Sequence, residues 1–415
     1  MWLMASFKVH RINTPSLYSR PHPKVHATLL SASLFAHRRV FKRRNPRRLF
    51  HCRTMSSKDD VTSLPIETLL KLRQQNKGTY RNHRRIGEDI SDLREHVKFL
   101  YEATPMAPEY NGFDVEFNFI ERRTGQEDFE KNYTTANLEV NRNKNRYTNV
   151  LPPEDTRVSL DMLQSQEGTD YINANFIAGD VSAREFISTQ GPLPNTVCDF
   201  WRMIWEHKST VIVMLTKETE NGREKCHRYW PEKRETLVFD SIRVQSISED
   251  TNKPYLVERR LVISHVDEPE VRRDVWHLQY TAWPDHGLPS DTSTFLSLIA
   301  MVDDWNQGKA PIAVHCSAGI GRTGTFCTVH NTIHQLRRIE AERGEVPLMN
   351  IVKAVLDLRD QRPGMVQTKD QYKFCYLAVL DEYNKIVENA EKKYKQKKHL
   401  EGTVPSDKDT EDKKL

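Results

Sequence analysis

The stretch from Val314 to Gly324, VHCSAGIGRTG, most constrains what this chain can fold into. The apolar run before it, 310–314, predicts a short buried strand, and the apolar pattern after Arg322 predicts a helix. A cysteine, five residues rich in glycine and small side chains, and an arginine therefore lie on a turn from a strand to a helix N-terminus. At such a turn, successive backbone N–H groups and the helix dipole favour one bound anion.

The residue types within this Cys loop, residues 316–322, indicate phosphate chemistry. Gly319 and Gly321 allow positive φ values and close backbone approach. The planar fork of Arg322 matches two phosphate oxygens. The same field favours a thiolate at Cys316, the form that attacks phosphorus. The backbone donors of the cradle would come from five residues: Ser317, Ala318, Gly319, Ile320 and Gly321.

A bare Cys-x5-Arg pattern is common, but the whole string resembles the signature of the protein tyrosine phosphatases. In this family the cysteine is the nucleophile and forms a phosphocysteine. The resemblance implies that Arg322 and the loop amides hold the phosphate, and that the Thr323 hydroxyl hydrogen-bonds the sulfur and eases its departure. It also implies that no metal and no cofactor takes part, because the cradle and Arg322 supply the positive charge.

The motif Trp283-Pro284-Asp285 begins a second candidate segment, the acid loop, residues 283–289. In the family the aspartate protonates the leaving tyrosine oxygen and later acts as the base, and Asp285 matches it. Proline and glycine on either side are typical of a loop with hinges. His286 stands where phenylalanine is commoner in the family.

Residues 143–152, NKNRYTNVLP, resemble the family's recognition loop for phosphotyrosine. Tyr147 would lie along the substrate ring and make the pocket deep, so that only a side chain as long as phosphotyrosine reaches Cys316. Asn149 stands where many members carry an aspartate that fixes the peptide backbone. An asparagine still accepts a hydrogen bond but lacks the charge.

Further blocks match the family. Gln367 matches the glutamine that orients the hydrolytic water, and Gln371 lies four residues further on. Lys225 resembles a lysine that contacts the closed acid loop, although a solvated surface lysine is about as common. Residues 170–175 and 189–196 match blocks that we interpret as architectural. A second phosphate pocket would use Arg359, with Arg122 or Arg123, and the opening at Gly364.

The predicted fold is α/β (α+β), with one highly twisted mixed sheet flanked by helices and the Cys loop between a central strand and a helix. Predicted strands are 210–215, 256–263 and 275–283, and predicted helices are 295–305, 324–338, 348–361 and 368–394. The resemblance spans about 117–383, which a single large domain accommodates. The predicted catalytic domain is 106–386.

Three further segments complete the chain. Residues 59–105 are expected to form a helical extension, with helices at 64–75 and 89–103. Its apolar stripe packs on the domain or, alternatively, binds a partner. Residues 387–415, dominated by Lys, Glu and Asp, predict a frayed helix end and a disordered tail. Residues 1–58 contain eight arginines and lysines between Arg38 and Arg53 and no acidic residue.

The composition of residues 1–58 leaves several interpretations open. An Arg-rich, Ser-containing, acid-poor segment is typical of an organellar transit peptide. Alternatively, Met55 is the true start, or the basic block 38–48 is a nuclear-localisation or anionic-surface patch. The apolar run 27–36 is too short to span a membrane. We expect the cytoplasm, with the nucleus as a further compartment, unless a transit peptide directs the chain to a plastid or mitochondrion.

Six scattered cysteines show no spacing typical of a zinc site or disulfide framework, which favours a reducing compartment. The thiolate character of Cys316 makes it a candidate redox sensor. A net charge of +5 does not argue for a nucleic-acid partner once the basic N-terminal segment is set aside. The expected partners are phosphotyrosine-containing proteins, and the expected state is a monomer.

These motifs favour a non-receptor, phosphotyrosine-specific protein tyrosine phosphatase without a membrane span. Two alternatives come from other classes. A phosphotyrosine-binding pseudo-enzyme would lack part of the catalytic set, which is complete in this sequence. A dual-specificity or phosphoinositide phosphatase shares Cys-x5-Arg but usually lacks the Lys-Asn-Arg-Tyr block, which this chain has at 144–147.

Overall fold

The computed structural model describes residues 63–64, 86–104, 107–127, 131–180, 182, 185–307, 310–344 and 346–402. Its strands in chain order are β1 Ser63–Leu64, β2 Ala103–Thr104, β3 Ala107–Asn111, β4 Arg157–Ser159, β5 Tyr171–Ile177, β6 Phe186–Thr189, β7 Val211–Met214, β8 Thr219–Glu220, β9 Arg223–Glu224, β10 Thr236–Phe239, β11 Ile242–Lys253, β12 Leu256–His265, β13 Arg272–Tyr280, β14 Ile312–His315 and β15 Val346–Pro347.

The helices are α1 Leu93–Leu100, α2 Gly112–Glu127, α3 Thr134–Asn137, α4 Glu139–Arg142, α5 Val197–Glu206, α6 Ser293–Asn306, α7 Gly321–Arg343, α8 Ile351–Gln361 and α9 Lys369–Gly402. A short 3₁₀ helix spans Glu154–Thr156. Within these described residues, none of the helices combines the length and apolar character needed to cross a membrane.

One nine-stranded sheet organises the fold, in the order β10-β11-β12-β13-β7-β14-β6-β5-β4. The four central strands β13, β7, β14 and β6 run parallel, and the outer pairs are antiparallel. β14 is fully buried, as expected for a central parallel strand covered on both faces. Its carboxyl end therefore opens into the crevice where such sheets place ligands.

Two buried clusters cover the two faces of this sheet. The larger one packs α1, α2 and α6 to α9 against one face, with Phe295, Phe326 and Tyr376 among its fully buried side chains. The smaller one centres on α5 and includes Trp201 and Tyr229. The mixed sheet flanked by helices confirms the predicted fold class.

Most predicted elements are present, with shifted ends. Strand 275–283 is wrong at its end, because β13 stops at Tyr280 and Trp283 lies in the acid loop. Helix 89–103 is shorter than predicted, since Asp92 caps α1 and Ile90 instead pairs with Met349 in an isolated bridge. Most of the predicted helix 64–75 falls outside the described residues.

The helix predicted at 368–394 is longer than expected, because α9 continues to Gly402 into the segment 387–415 predicted as a frayed helix end and tail. Lys, Glu and Gln are good helix formers, so a charged segment can extend a packed helix. Lys393 Nζ also lies 2.8 Å from Glu340 Oε1 on α7. Of the residues beyond Gly402, and of 1–62, the structure describes none.

Candidate active site

The Cys loop lies between the end of β14 and the start of α7, on the turn from strand to helix that its sequence indicates. Cys316 is 6% exposed. Gly319 adopts φ +70°, and a Cβ there would come within 2.1 Å of the Thr189 carbonyl oxygen. Only glycine fits that position, which lets the loop close tightly against the end of β6.

Arg362 fixes the shape of the Cys loop from behind. It is fully buried, and its Nε and Nη2 donate to the carbonyl oxygens of Gly319 and Ala318 at 2.9 and 3.1 Å. Its remaining donors reach the side-chain oxygens of Asn173 and Asn175 on β5. Burial lowers the pKa of Arg362 to about 10, and the guanidinium stays charged at neutral pH. The loop carbonyls therefore point toward Arg362.

Arg322 is held by a carboxylate that no motif in the sequence singles out. Glu220, on the β8–β9 hairpin, accepts from Nη1 and Nη2 of Arg322 at 2.6 and 3.0 Å. Burial alone would raise the pKa of Glu220, but the hydrogen bonds and charge of Arg322 lower it overall. Nη1 also donates to the Leu215 carbonyl, so Nε is the donor without a described partner. The bidentate pair orients the guanidinium plane.

The acid loop contacts the Arg322 side chain. Nη2 of Arg322 donates to the Pro284 carbonyl at 3.1 Å, and the guanidinium lies 5.6 Å from the Trp283 ring centroid. Asp285 accepts from the Asn221 backbone N–H at 3.1 Å, and its Oδ1 lies 3.5 Å from Lys217 Nζ. The contact between Pro284 and Arg322 thus brings the candidate acid and the Cys loop into one site.

Tyr147 stands beside the Cys loop. Its hydroxyl lies 2.8 Å from Ser317 Oγ. The architectural block holds this recognition loop in place, because Gln190 accepts from the Arg146 N–H and donates to the Lys144 carbonyl, both at 2.8 Å. Asn149 is exposed on the same loop.

The polar residues below the Cys loop form a buried hydrogen-bonded chain. Arg259 Nη1 lies 3.2 Å from His277 Nδ1, and His277 Nε2 lies 2.9 Å from the Tyr229 hydroxyl. That hydroxyl lies 2.7 Å from His315 Nε2, and His315 Nδ1 lies 3.1 Å from the Cys316 carbonyl. Burial lowers the pKa of His277 well below its usual value and that of His315 to about 4, so both rings are neutral.

Gln367 and Gln371 border the start of α7. Their side-chain amides would lie 3.0–3.1 Å from a Cβ placed on Gly321. Gln371 Oε1 also accepts from the Gln367 backbone N–H at 2.9 Å. Thr323 is fully buried, and its hydroxyl has no hydrogen-bond partner in the described part of the chain, Cys316 Sγ included. A free hydroxyl there remains an available donor.

Of two predictions about basic residues, one stays a prediction and one needs correction. The contact of Lys225 with the acid loop stays a prediction, while Lys217, eight residues earlier, lies with its Nζ 3.5 Å from Asp285 Oδ1. The proposed second phosphate pocket is contradicted because Arg359 is 3% exposed and its guanidinium is already used. It donates to the carbonyls of Met365 and Val366 and to Thr124 Oγ1, and it pairs with Glu121. Arg122 and Arg123 are exposed.

Comparisons with known proteins agree with this geometry. The family model for protein-tyrosine phosphatase matches residues 141–381. The chain is 36% identical to tyrosine-protein phosphatase 2 of Dictyostelium discoideum, covering 70% of this chain and 91% of that protein. It is 44% identical to a Lar-like tyrosine-protein phosphatase of Caenorhabditis elegans, over 71% of this chain and 12% of that one. It is 40% identical to human receptor-type tyrosine-protein phosphatase alpha, over 71% of this chain and 35% of that one.

Proposed function

The chain belongs to the protein-tyrosine phosphatase family, and we propose that it hydrolyses phosphotyrosine in proteins through a phosphocysteine formed on Cys316. The observation that carries this assignment is the hydrogen bond from Arg322 to the Pro284 carbonyl. It connects the Cys loop with the acid loop, so the nucleophile and the candidate acid serve one substrate.

In the first step the Cys316 thiolate attacks phosphorus. An S–P bond forms while the bond between phosphorus and the tyrosine oxygen breaks, and Asp285 gives its proton to that oxygen. The amides of residues 317–321, together with the charge and the Nε–H of Arg322, stabilise the phosphoryl oxygens as charge moves through the transition state. Glu220 and the Pro284 carbonyl keep the guanidinium plane in position.

In the second step water attacks the phosphocysteine. Asp285, now ionised, accepts a proton from the water, which Gln367 orients through its amide. The S–P bond breaks, inorganic phosphate leaves, and the sulfur departs as a thiolate. The buried Thr323 hydroxyl, which has no hydrogen-bond partner among the described residues, is the donor that would stabilise it.

Tyr147 sets the selectivity for phosphotyrosine. Its hydroxyl is bonded to Ser317, so its ring stands at the wall of the Cys loop. A substrate must then pass the length of this ring before its phosphate reaches Cys316, and phosphoserine is too short. Asn149, exposed on the same loop, would contact the peptide backbone, and Lys217 would hold the acid loop through Asp285 in addition to the contact expected of Lys225.

The chain would act on phosphotyrosine-containing proteins as a monomer in a reducing compartment, the cytoplasm or nucleus. All five cysteines in the described part of the chain are free, which supports the reducing environment. N-terminal sequencing of the mature protein tests the transit-peptide alternative, because removal of residues 1–58 would indicate an organelle.

Turnover of phosphotyrosine peptides by three variants tests the assignment. We expect Cys316→Ser to abolish turnover, and Asp285→Ala to lower kcat by orders of magnitude while phosphopeptide binding persists. Asp304→Ala, at an aspartate of α6 outside the catalytic machinery, is the matched control and should keep the rate. Wild-type rates in Cys316→Ser or Asp285→Ala would falsify the roles of nucleophile and acid, and equal rates on phosphothreonine peptides would indicate a dual-specificity enzyme.

A further inference from the structure

A second group of metal-ligating side chains lies away from the Cys loop, at the junction of α6 and α7. Asp303 on α6 and two histidines of α7, His330 and His334, bring their ligand atoms within 4.8 Å of one another. Asp303 Oδ1 lies 3.1 Å from His330 Nε2 and 2.8 Å from His334 Nε2. No step of the phosphatase reaction uses these side chains.

The backbone pre-arranges the two histidines for a shared ligand. They are four residues apart on one helix, so they occupy the same face one turn apart. Their rings stack with centroids 4.1 Å apart and an angle of 12° between the planes. Both Nε2 atoms lie within hydrogen-bond distance of the same carboxylate oxygen, so the three ligand atoms form one cluster.

The two distances from Asp303 Oδ1 to the imidazoles suit a shared metal ion. With metal–ligand distances of about 2.1 Å, donors 2.8 and 3.1 Å apart subtend roughly 85–95° at the ion. Right angles are those of adjacent ligands in an octahedral shell, and histidine with carboxylate is a ligand set that first-row transition metals accept.

The surroundings carry one further carboxylate and one guanidinium, and they leave the cluster partly accessible. Glu185, a half-buried carboxylate, is close enough that Asp303 and His334 perturb its pKa, which burial raises. His334 and Asp303 keep 29% and 25% of their side-chain surface exposed, whereas His330 is buried beside the Phe186 ring. Arg337 lies 3.4 Å from Asp303 Oδ2, the oxygen turned away from the imidazoles.

We propose that Asp303, His330 and His334 bind one divalent first-row transition-metal ion that joins α6 to α7. α6 follows the acid loop in the chain and α7 begins at the Cys loop, so the ion would fix the two helices that support the two halves of the site. His330 Nδ1 has no partner within the described residues, and without that outer contact the affinity will be moderate.

Calorimetric titration of the metal-free, full-length chain with Zn²⁺ tests the proposal, with Cys316→Ser as background because a thiolate is itself a metal ligand. We expect one ion per chain, a higher Tm with Zn²⁺, and visible absorption bands when Co²⁺ is used. Asp303→Asn and His334→Gln should weaken binding at least about tenfold, since each removes a ligand. Both positions are partly exposed, so these variants should fold; His330 is buried and is left unchanged.

The control is His265→Gln, which disrupts a surface pair between one histidine and one aspartate, His265 and Asp267, and should bind Zn²⁺ as the background does. Equal binding by all variants would place the ion elsewhere and overturn the proposal. Absence of binding at 100-fold molar excess of Zn²⁺ would overturn it as well, because the imidazoles then serve only as hydrogen-bond donors to Asp303.

Discussion

Arg259 Nη1 lies 3.2 Å from His277 Nδ1. This contact sets the donor and acceptor of each hydrogen bond in the series that runs from Arg259 through His277, Tyr229 and His315 to the Cys316 carbonyl. A guanidinium only donates, so His277 Nδ1 accepts and its Nε2–H donates to Tyr229. The Tyr229 hydroxyl then donates to His315 Nε2, and His315 Nδ1–H donates to the Cys316 carbonyl. Both neutral histidines therefore have defined tautomers.

Tyr229→Phe should destabilise the protein. It removes one hydroxyl and leaves a buried N–H of His277 and a buried lone pair of His315 without partners. Each unsatisfied buried group costs about 1–3 kcal/mol, so the free energy of unfolding should fall by at least about 2 kcal/mol in urea denaturation. Tyr101→Phe, at a half-exposed site, should stay within about 0.5 kcal/mol of wild type. A Tyr229→Phe variant as stable as wild type would refute the hydrogen-bond directions assigned to this series.

Stability should fall as the pH is lowered from 6.5 toward 4. His315 has an ordinary pKa of 6.5 in the unfolded chain and about 4 in the fold, because its burial disfavours the charged ring. Between these values the unfolded state binds the extra proton, so stability is full above pH 6.5 and declines by up to about 1.4 kcal/mol per pH unit for this group. Unfolding free energies at pH 6.5 and 5 should show a smaller difference in His315→Gln than in wild type.

Glu220→Gln should impair catalysis without preventing folding. The variant keeps one acceptor for Arg322 but loses the charge and the bidentate geometry that orient the guanidinium. Hydrogen bonds to charged groups contribute about 1.5–3 kcal/mol, so kcat/KM on a phosphotyrosine peptide should fall roughly 10- to 100-fold. Glu218→Gln, two residues earlier and bonded to Arg228 on the surface, is the control. An unchanged kcat/KM for Glu220→Gln would mean that the Cys loop alone orients Arg322.

Lys217 and Lys225 should differ in their effect on turnover. Lys217→Met removes the cation 3.5 Å from Asp285 and should lower kcat several-fold, because the acid loop loses a contact in its position over Arg322. Lys225→Met should leave kcat within about twofold, since a partly exposed lysine without such a contact contributes little. Steady-state kinetics of both variants measure the two values of kcat. A larger loss of kcat in Lys225→Met than in Lys217→Met would support the role that the family resemblance implies for Lys225.

A peptide with two adjacent phosphotyrosines should bind no more tightly than the same peptide with one. The donors of Arg359 are taken by protein acceptors, and breaking such a buried network to receive a second phosphate would be costly. Calorimetry with the Cys316→Ser variant measures both affinities. The prediction is contradicted if the doubly phosphorylated peptide binds tenfold more tightly and Arg122→Gln removes this gain. Exposed arginines would then be enough to bind the second phosphate.

The Cys loop could be predicted because its chemistry is local: one strand, one turn and one helix start place Cys316, Arg322 and the amides together. Glu220, Lys217 and Arg362 could not, since each reaches the site through pairing of segments far apart in sequence. A carboxylate in a hairpin and basic residues near a turn are common on protein surfaces, so their residue types give no sign of a role in the site. The sequence pattern predicts a strand at Trp283 because an apolar residue after β13 continues the run, whereas this side chain packs under the acid loop.

The contacts of Arg362 have a consequence for how recognition and folding are related. Because this side chain fastens the outer carbonyls of the Cys loop to two asparagines of β5, the cavity acquires its shape as the sheet forms, before any substrate arrives. The same four hydrogen bonds of Arg362 therefore contribute both to the affinity for an anion and to the free energy of unfolding. A substitution of buried Arg362 would therefore lower both the amount of folded enzyme and the activity of each folded molecule.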